Sequence, residues 1–342
     1  IVVQDLGHAA SCPIRTDATC VTLGFDGANP LGPRVASADD TFDPGVTIAP
    51  DDPHGIFLTS GSTGQPKGVM LSHRASWMRS HLGASRSVGA GGRGELLTFP
   101  MFHWSGWNYL MENWAHRRPI HFLTGTTGDD MARAIARHDP AYFYAIPAVW
   151  ERLLASTVPF DGSRLRSVAS GTSKFDPVLM ERIAARFPRA NRGVYYGATE
   201  FGGACCLIEE EIARHPGGVG MPYAGVDVRI VDGELQLRGP TVMSGYFELP
   251  EKTAEVMDDG WYRTGDLADI GADGFLTITG RAREVIRSGG ETVAPAEVEL
   301  ALQGFPGLRG VAIIGLSDPT WGEIVCAVAE LEPGTACPEV EM

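Results

Sequence analysis

Positive charge is scarce in this chain. Twenty-eight lysines and arginines face 42 aspartates and glutamates, a formal net charge of −14 over 342 residues, and no local Lys/Arg cluster offsets it. Such a surface repels phosphate backbones and anionic bilayers, which argues against nucleic acid as a partner. The usual zinc spacings are missing as well. Six cysteines (Cys12, Cys20, Cys205, Cys206, Cys326, Cys337) form no C-x-x-C pair, and nine histidines form neither H-x-x-x-H nor H-E-x-x-H. A chain of this size needs no disulfide framework, so the thiols read as buried or incidental in a reducing compartment, and the expected location is the cytoplasm. No apolar run reaches the roughly 18 residues of a membrane span, and no signal segment opens the sequence, so no integral membrane segment is expected. Internal repeats and low-complexity tracts are also lacking.

What is present is ordinary globular composition, 44% hydrophobic with mean hydropathy close to zero. The first 55 residues are rich in Gly, Pro and Asp and read as a surface connection. Beyond them strands and helices alternate. Ser72 is placed to cap a helix through about Ser80, and strands are expected at Glu95–Phe99 and Ile120–Leu123. Then come a helix from Asp129 to His138, a strand at Tyr142–Ile146, a helix at Ala148–Ala155 and a strand at Leu165–Ala169. A helix at Pro177–Phe187 and a strand at Gly193–Tyr196 complete the series. The pattern argues for an α/β fold with a mainly parallel, helix-covered sheet. From Val226 the texture changes. "VDVRIVDGELQLRG" alternates with period two around Asp232-Gly233, a hairpin signal, and marks a β-rich subdomain over about residues 217–280.

One stretch stands out, "FLTSGSTGQPKGV" from Phe57 to Val69. Freed backbone N–H groups of a glycine-rich turn can converge on an anion, and hydroxyls with one ammonium complete a phosphate cradle. Composition alone also allows a solvated linker. The spacing is not G-x-x-x-x-G-K-[ST], because Pro66 precedes Lys67 and Gly68 follows it. It closely resembles the phosphate loop of the adenylate-forming superfamily, which comprises acyl-CoA synthetases, luciferases and the adenylation domains of peptide synthetases. Further motifs follow in order. "PMFHWSG" (Pro100–Gly106) is similar to the substrate-pocket motif, "SGTSKFDPVL" (Ser170–Leu179) to the adenine-facing stretch, and "YYGATE" (Tyr195–Glu200) to the adenine and magnesium motif. "DGWYRTGDL" (Asp259–Leu267) and "GRAREVIRSGGETVAPAEVE" (Gly280–Glu299) complete the set, and the resemblance runs from about Pro53 to Glu330.

The resemblance implies a large N-terminal domain over residues 1–280 and, over 281–342, the beginning of a small α+β C-terminal lid domain. It also implies ATP, Mg²⁺ and coenzyme A as reaction partners. Thr59, Ser60, Gly61, Ser62, Thr63, Gly64 and Lys67 would meet the outer phosphates. Thr199 would touch the α-phosphate, and Glu200 would hold Mg²⁺. Tyr196 and Gly197 would lie against the adenine, with the backbone of Gly171, Thr172 and Ser173 on its other side. Asp266 would accept both ribose hydroxyls, Arg281 would add a second ribose or phosphate contact, and Arg283 would be the hinge between domains. Thr199, Glu200, His103 and Lys67 are the candidate catalytic residues.

The acid is read from the pocket motif. An amino-acid substrate needs a buried carboxylate for its ammonium, whereas His103 stands in that place with no acid before Glu112. Trp104 and Trp107 add apolar area, with Trp107 as candidate gate of an acyl path. A medium- or long-chain fatty acid, activated to acyl-AMP and passed to coenzyme A, is therefore the expected substrate. An aryl acid, or loading of a carrier protein, is the alternative, and a catalytically weak nucleotide- or acyl-binding fragment is the non-enzymatic one. Three departures from the family pattern stand out: Lys174 in the adenine-facing stretch, and Arg283-Glu284 at the hinge. Family members also carry an additional N-terminal segment and a C-terminal lysine motif that this sequence does not contain, from which a truncated chain impaired in adenylation is expected.

Overall fold

The computed structural model describes residues 2–3, 21–22, 45–59, 66–84, 93–123, 125–171, 177–282, 284–288, 291–319 and 321–332. It divides into two units, Ile1–Ala49 and Pro50–Met342. In the first, β1 (Val2–Val3) pairs in parallel with β2 (Val21–Thr22). All that follows concerns the second.

Strands β3 (Pro53–Thr59) and β4 (Lys67–Ser72) form an antiparallel ladder that ends with Thr59 opposite Lys67. The glycine-rich stretch is thus the connection of a hairpin, and its residues 60–65 lie outside the described residues. The Ser72 hydroxyl accepts the N–H of Ala75 at 3.1 Å and so starts α1 (His73–Ala84), as the capping signal requires. After β5 (Glu95–Leu97) comes α2 (Trp104–Ala115), a helix that the expectations above do not contain. Its aromatic content and Gly106 are weak helix signals, and its cap is unusual: Nδ1 of His103 accepts the N–H of Ser105 at 3.1 Å. Gly106 is needed there for space, since a Cβ would stand 2.2 Å from the carbonyl oxygen of Pro100.

The alternation then proceeds as expected. It runs through β6 (Ile120–Phe122), α3 (Gly128–His138), β7 (Tyr142–Tyr144), α4 (Pro147–Leu154), β8 (Ser167–Gly171), α5 (Pro177–Arg186) and β9 (Asn191–Ala198). Boundaries differ from those read in the sequence by a few residues. Thr127 and Asp130 form a reciprocal capping box at α3, which buries Met131, Ala132 and Ile135 on one face. Trp150 of α4 is fully buried and donates from Nε1 to the Ala169 carbonyl at 2.9 Å. Parallel pairing in the order β6-β5-β7-β8-β9 carries the first core, which includes Leu96, Phe143, Val168, Ile183 and Phe187.

The sheet then continues in antiparallel fashion through β10 (Gly202–Ile208) and, past the short α6 (Glu211–Arg214), β11 (Gly218–Pro222). A hairpin of β12 (Asp227–Val231) and β13 (Glu234–Arg238) turns at Asp232 and Gly233, both with positive φ (50° and 79°). This is the two-residue turn that suits twisted strands. Next are β14 (Gly245–Tyr246), α7 (Pro250–Val256), β15 (Met257–Asp258), β16 (Trp261–Ile270) and β17 (Leu276–Arg281). The pair β16/β17 sets Asp266 directly opposite Arg281. A four-stranded sheet is the last feature of the described residues: β18 (Ile286–Ser288), β19 (Glu291–Val293), α8 (Pro295–Leu302), β20 (Leu308–Asp318) and β21 (Gly322–Leu331), in the strand order β19-β18-β21-β20. The molecule is therefore of the α/β class, with one large sheet that is parallel in its first half and antiparallel in its second. Among the described residues no helix is long and apolar enough to cross a membrane.

Candidate active site

A cavity of about 560 Å³ opens where β9 gives way to the antiparallel half of the sheet. It gathers Thr59 and Lys67 from the hairpin, His103 and Trp104 from the start of α2, and Tyr196 and Gly197 from β9. Thr199 and Glu200 from the turn after β9, Asp266 from β16 and Arg281 from β17 complete its wall. Residues spread over more than 200 positions thus meet in one place. Ser60, Gly61, Ser62, Thr63, Gly64, Thr172, Ser173 and Arg283 lie outside the described residues. Gly171 is not in the wall. It ends β8 against β9, where a Cβ would stand 2.3 Å from the Tyr195 carbonyl oxygen.

Trp107 is not in the wall either. Its ring packs against the second core cluster, 6.0 Å from the His54 ring, and its Nε1 is buried without a hydrogen-bond partner among the described residues. The reason is helical geometry. From α2 the cavity takes Trp104, Ser105, Asn108, Tyr109 and Glu112, and at about 100° per residue Trp107 lies roughly 130° round the helix from the centre of that face.

Asp266 is the most constrained of the predicted residues. Tyr196 Oη donates to its Oδ2 at 2.5 Å, Arg281 Nε pairs with its Oδ1 at 2.6 Å, and its own N–H donates to Thr264 Oγ1 at 3.0 Å. Burial raises the carboxyl pKa against the opposing pull of Tyr196 and Arg281, and it raises that of the Tyr196 phenol, which the Asp266 charge raises further.

At the other side of the opening, Glu200 Oε1 accepts from Tyr246 Oη at 3.1 Å, and its carbonyl accepts the N–H of Met243 at 2.7 Å. The Lys67 ammonium stands 4.8 Å above the Tyr246 ring, and Thr59 Oγ1 donates to the Lys67 carbonyl at 3.4 Å. Lys67 and Glu200 therefore flank the same tyrosine. Among the described residues no group of three or more His, Cys, Asp or Glu could hold a metal ion unaided. A divalent cation here would take one hard oxygen from Glu200 and the rest from water and phosphate, as magnesium does in nucleotide sites. His103 holds its cap through Nδ1, which assigns the ring proton to Nε2, and burial lowers its pKa, so the imidazole is neutral.

Several wall residues escaped the sequence reading. Arg79 of α1 is 4% exposed, donates Nε to the Thr241 carbonyl (2.7 Å) and Nη1 to the Thr199 carbonyl (2.9 Å), and lies 4.5 Å over the Trp104 ring. Burial lowers its pKa to about 9, opposed by Glu200. Gly202, with φ of +72°, leaves room for it: a Cβ there would stand 2.9 Å from Arg79 Cδ. The available signal was the stripe Ala75, Ser76, Arg79, Ser80, small residues at helical spacing around one arginine. Glu95, Asn108, Tyr109 and Glu112 also belong to the wall. Glu95 and Glu112, both 5% exposed, bring two buried carboxyl groups to a wall whose pocket motif holds none between His103 and Glu112.

A family model described as "AMP-binding enzyme" matches residues 3–247. The chain is 31% identical over 352 residues to a feruloyl-CoA synthase of an Amycolatopsis species, covering 95% of this chain and 71% of that protein. It is 30% identical to a long-chain-fatty-acid–CoA ligase of Mycobacterium tuberculosis, covering 92% and 64%. Among solved structures it resembles o-succinylbenzoate-CoA synthetase of Bacillus subtilis in complex with the acyl-adenylate intermediate. There the TM-score is 0.75 at 26% identity, covering 84% of this chain and 61% of that one. The chain spans between 61% and 71% of the length of these proteins.

Proposed function

We propose a reaction from one premise: the chain belongs to the AMP-binding enzyme family, within the adenylate-forming superfamily to which acyl-CoA synthetases also belong. The reaction is ATP-dependent activation of a carboxylic acid. A carboxylate oxygen attacks the α-phosphorus, the bond to the bridging oxygen of pyrophosphate breaks, and acyl-AMP forms. A coenzyme A thiol then gives up its proton as its sulfur takes the acyl carbon, and AMP leaves. The observation that carries this reading is the single cavity that brings Lys67, Thr199, Glu200, Tyr196 and Asp266 together beside His103 and Trp104.

Each side chain then has a task that suits its surroundings. Two anions must approach, so the site needs cations and donors at the phosphates. Lys67 and Thr59 face the outer phosphates at the hairpin mouth, Thr199 meets the α-phosphate, and Glu200 supplies an oxygen to magnesium, which would screen the phosphate charge. The Tyr196 ring lies against the adenine. Asp266 accepts the ribose hydroxyls, with Arg281 as its cross-strand neighbour, and Arg283 is the pivot of the following lid segment. His103, neutral and fixed by its cap, stands at the junction of nucleotide and acid. Fatty and aryl acids both fit this reading, and feruloyl-CoA synthase and the long-chain-fatty-acid ligase represent the two among the relatives.

A pyrophosphate-release screen with ATP, magnesium and panels of fatty, aryl and amino acids tests the proposal. Release that depends on a fatty or aryl acid supports it. Release with none, or only with amino acids, overturns it.

A further inference from the structure

Beyond His103 the cavity continues between α2 and the sheet. Its wall there takes Asn108, Tyr109 and Glu112 from the helix, and Glu95, Tyr142 and Ser167 from the first residues of β5, β7 and β8, which lie side by side in register. Rings make up much of the passage: the Tyr144 centroid stands 5.5 Å from that of Tyr109 and 5.6 Å from that of Tyr195.

The passage ends on buried polar groups. Glu95 and Glu112 line its end, and behind them, outside the cavity, stand Asn113 and Arg118. Fully buried Asn113 donates Nδ2 to Glu95 Oε2 at 2.9 Å, and Arg118 Nη2 pairs with Glu112 Oε1 at 3.2 Å, their side chains 8% and 7% exposed. The Arg118 guanidinium also lies 5.0 Å over the Tyr142 ring, so one arginine ties the helix side of this end to the strand side. Such a floor does not yield to an apolar chain. A methylene tail that passed it would part Glu112 from Arg118 and Glu95 from Asn113, and would leave a buried charge and buried polar groups without partners.

Helix geometry sets the depth. Glu112 is nine positions after His103, a rise of about 13 Å at 1.5 Å per residue. Helical side chains lean towards the N-terminus, so the Glu112 carboxyl lies no deeper than its own turn. With the acid's carboxylate at the His103 end and its last carbon stopping about 3.5 Å short of the floor, about 10 Å remain, which an extended chain fills with about eight bonds of about 1.2 Å each.

We propose that the buried Glu112–Arg118 pair, with Glu95 and Asn113 beside it, is the floor of the acid pocket and restricts the substrate to short acids. These carry one aromatic ring on a two-carbon tether, or an unbranched tail of up to about nine carbons in all. Long-chain fatty acids are excluded. The inference rests on the acid-activating reading above and deepens it. A ring tail gains further from the tyrosines, which favour offset or edge contacts with another ring.

The test is calorimetric titration of the chain saturated with AMP, using hydrocinnamate, octanoate and dodecanoate, the last also in competition with octanoate so that only the shared site is read. In an open tunnel each added methylene would tighten binding about fourfold, and dodecanoate would bind about 100-fold tighter than octanoate or more. The closed floor predicts the opposite order: hydrocinnamate and octanoate bind, and dodecanoate binds about tenfold weaker than octanoate. Glu112→Ala combined with Arg118→Leu removes both charges together and shortens the floor. In that variant, shown to be folded by circular dichroism, dodecanoate is expected to bind at least as tightly as octanoate. Dodecanoate as tight as octanoate or tighter in the wild type overturns the inference and leaves the acid-activating reading in place, and a folded variant with an unmoved limit overturns the assignment of the floor to this pair. AMP binding with none of the acids bound overturns both the inference and the reading.

Discussion

Tyr196 Oη lies 2.5 Å from Oδ2 of Asp266, and the phenol's hydrogen bond occupies one oxygen of a carboxylate whose other oxygen carries Arg281 at 2.6 Å. The two contacts differ in permanence. Tyr196 is held in the wall by β9, whereas the Arg281 side chain is 61% exposed and belongs to the last residue of β17. A ligand diol at Asp266 would compete with the arginine, whose end of the pair reaches solvent, rather than with the tyrosine.

Asp266→Asn keeps the size of the side chain and the Tyr196 contact but removes the charge from the proposed ribose acceptor. ATP affinity is expected to fall about 10- to 100-fold, as for loss of charge-assisted hydrogen bonds. Calorimetry with ATP, with circular dichroism to confirm folding, checks this. Unchanged affinity in a folded variant removes Asp266 from the ribose site.

Lys67→Met separates nucleotides by their phosphates. If Lys67 serves the outer phosphates, ATP binding weakens about tenfold or more while AMP binding changes by less than about twofold. Equal weakening of both would place the lysine nearer the α-phosphate or assign it to the fold.

Arg79→Met deletes the donors to the Thr199 and Thr241 carbonyls while roughly keeping the stem that lies on Trp104. One buried and one part-buried carbonyl lose their partner, so urea unfolding is expected to show a loss of about 1–4 kcal/mol. A loss below about 1 kcal/mol would mean that water replaces the guanidinium there.

Glu95→Gln tests the buried carboxyl. Its folded-state pKa, about 8, lies above its ordinary value of 4.5, so the folded state holds the extra proton between those limits. The wild type therefore has this group's full contribution below about pH 4.5 and loses it as pH rises towards 8, by at most about 1.4 kcal/mol per unit. The amide variant lacks this slope. Denaturation midpoints from pH 5 to 8 should show the variant gaining on the wild type, and parallel curves would show that Glu95 is ionised in the folded protein.

Much of the fold was legible because its signals are local. The Asp232-Gly233 turn, the Ser72 cap and the period of α3 each lie within a few residues of what they determine. The nucleotide-side residues were legible only through resemblance, since nothing local ties Tyr196 to Asp266, 70 positions away. What stayed hidden depended on distant partners. Arg79 acquires its role from carbonyls 120 and 162 residues along the chain. The polar end of the cavity exists only because α2 crosses the starts of β5, β7 and β8. Trp107 looked like pocket because its neighbours are, and one step of helical phase took it out of the wall.

The most direct measurement of the central claim uses an acid labelled with ¹⁸O in its carboxylate. Incubated with the protein, ATP, magnesium and coenzyme A, it should give pyrophosphate and an AMP that carries one ¹⁸O in its phosphate per acyl group transferred, because that oxygen bridges carbon and phosphorus in acyl-AMP and departs with phosphorus. Turnover that yields ADP and inorganic phosphate, with no label in AMP, would contradict the account.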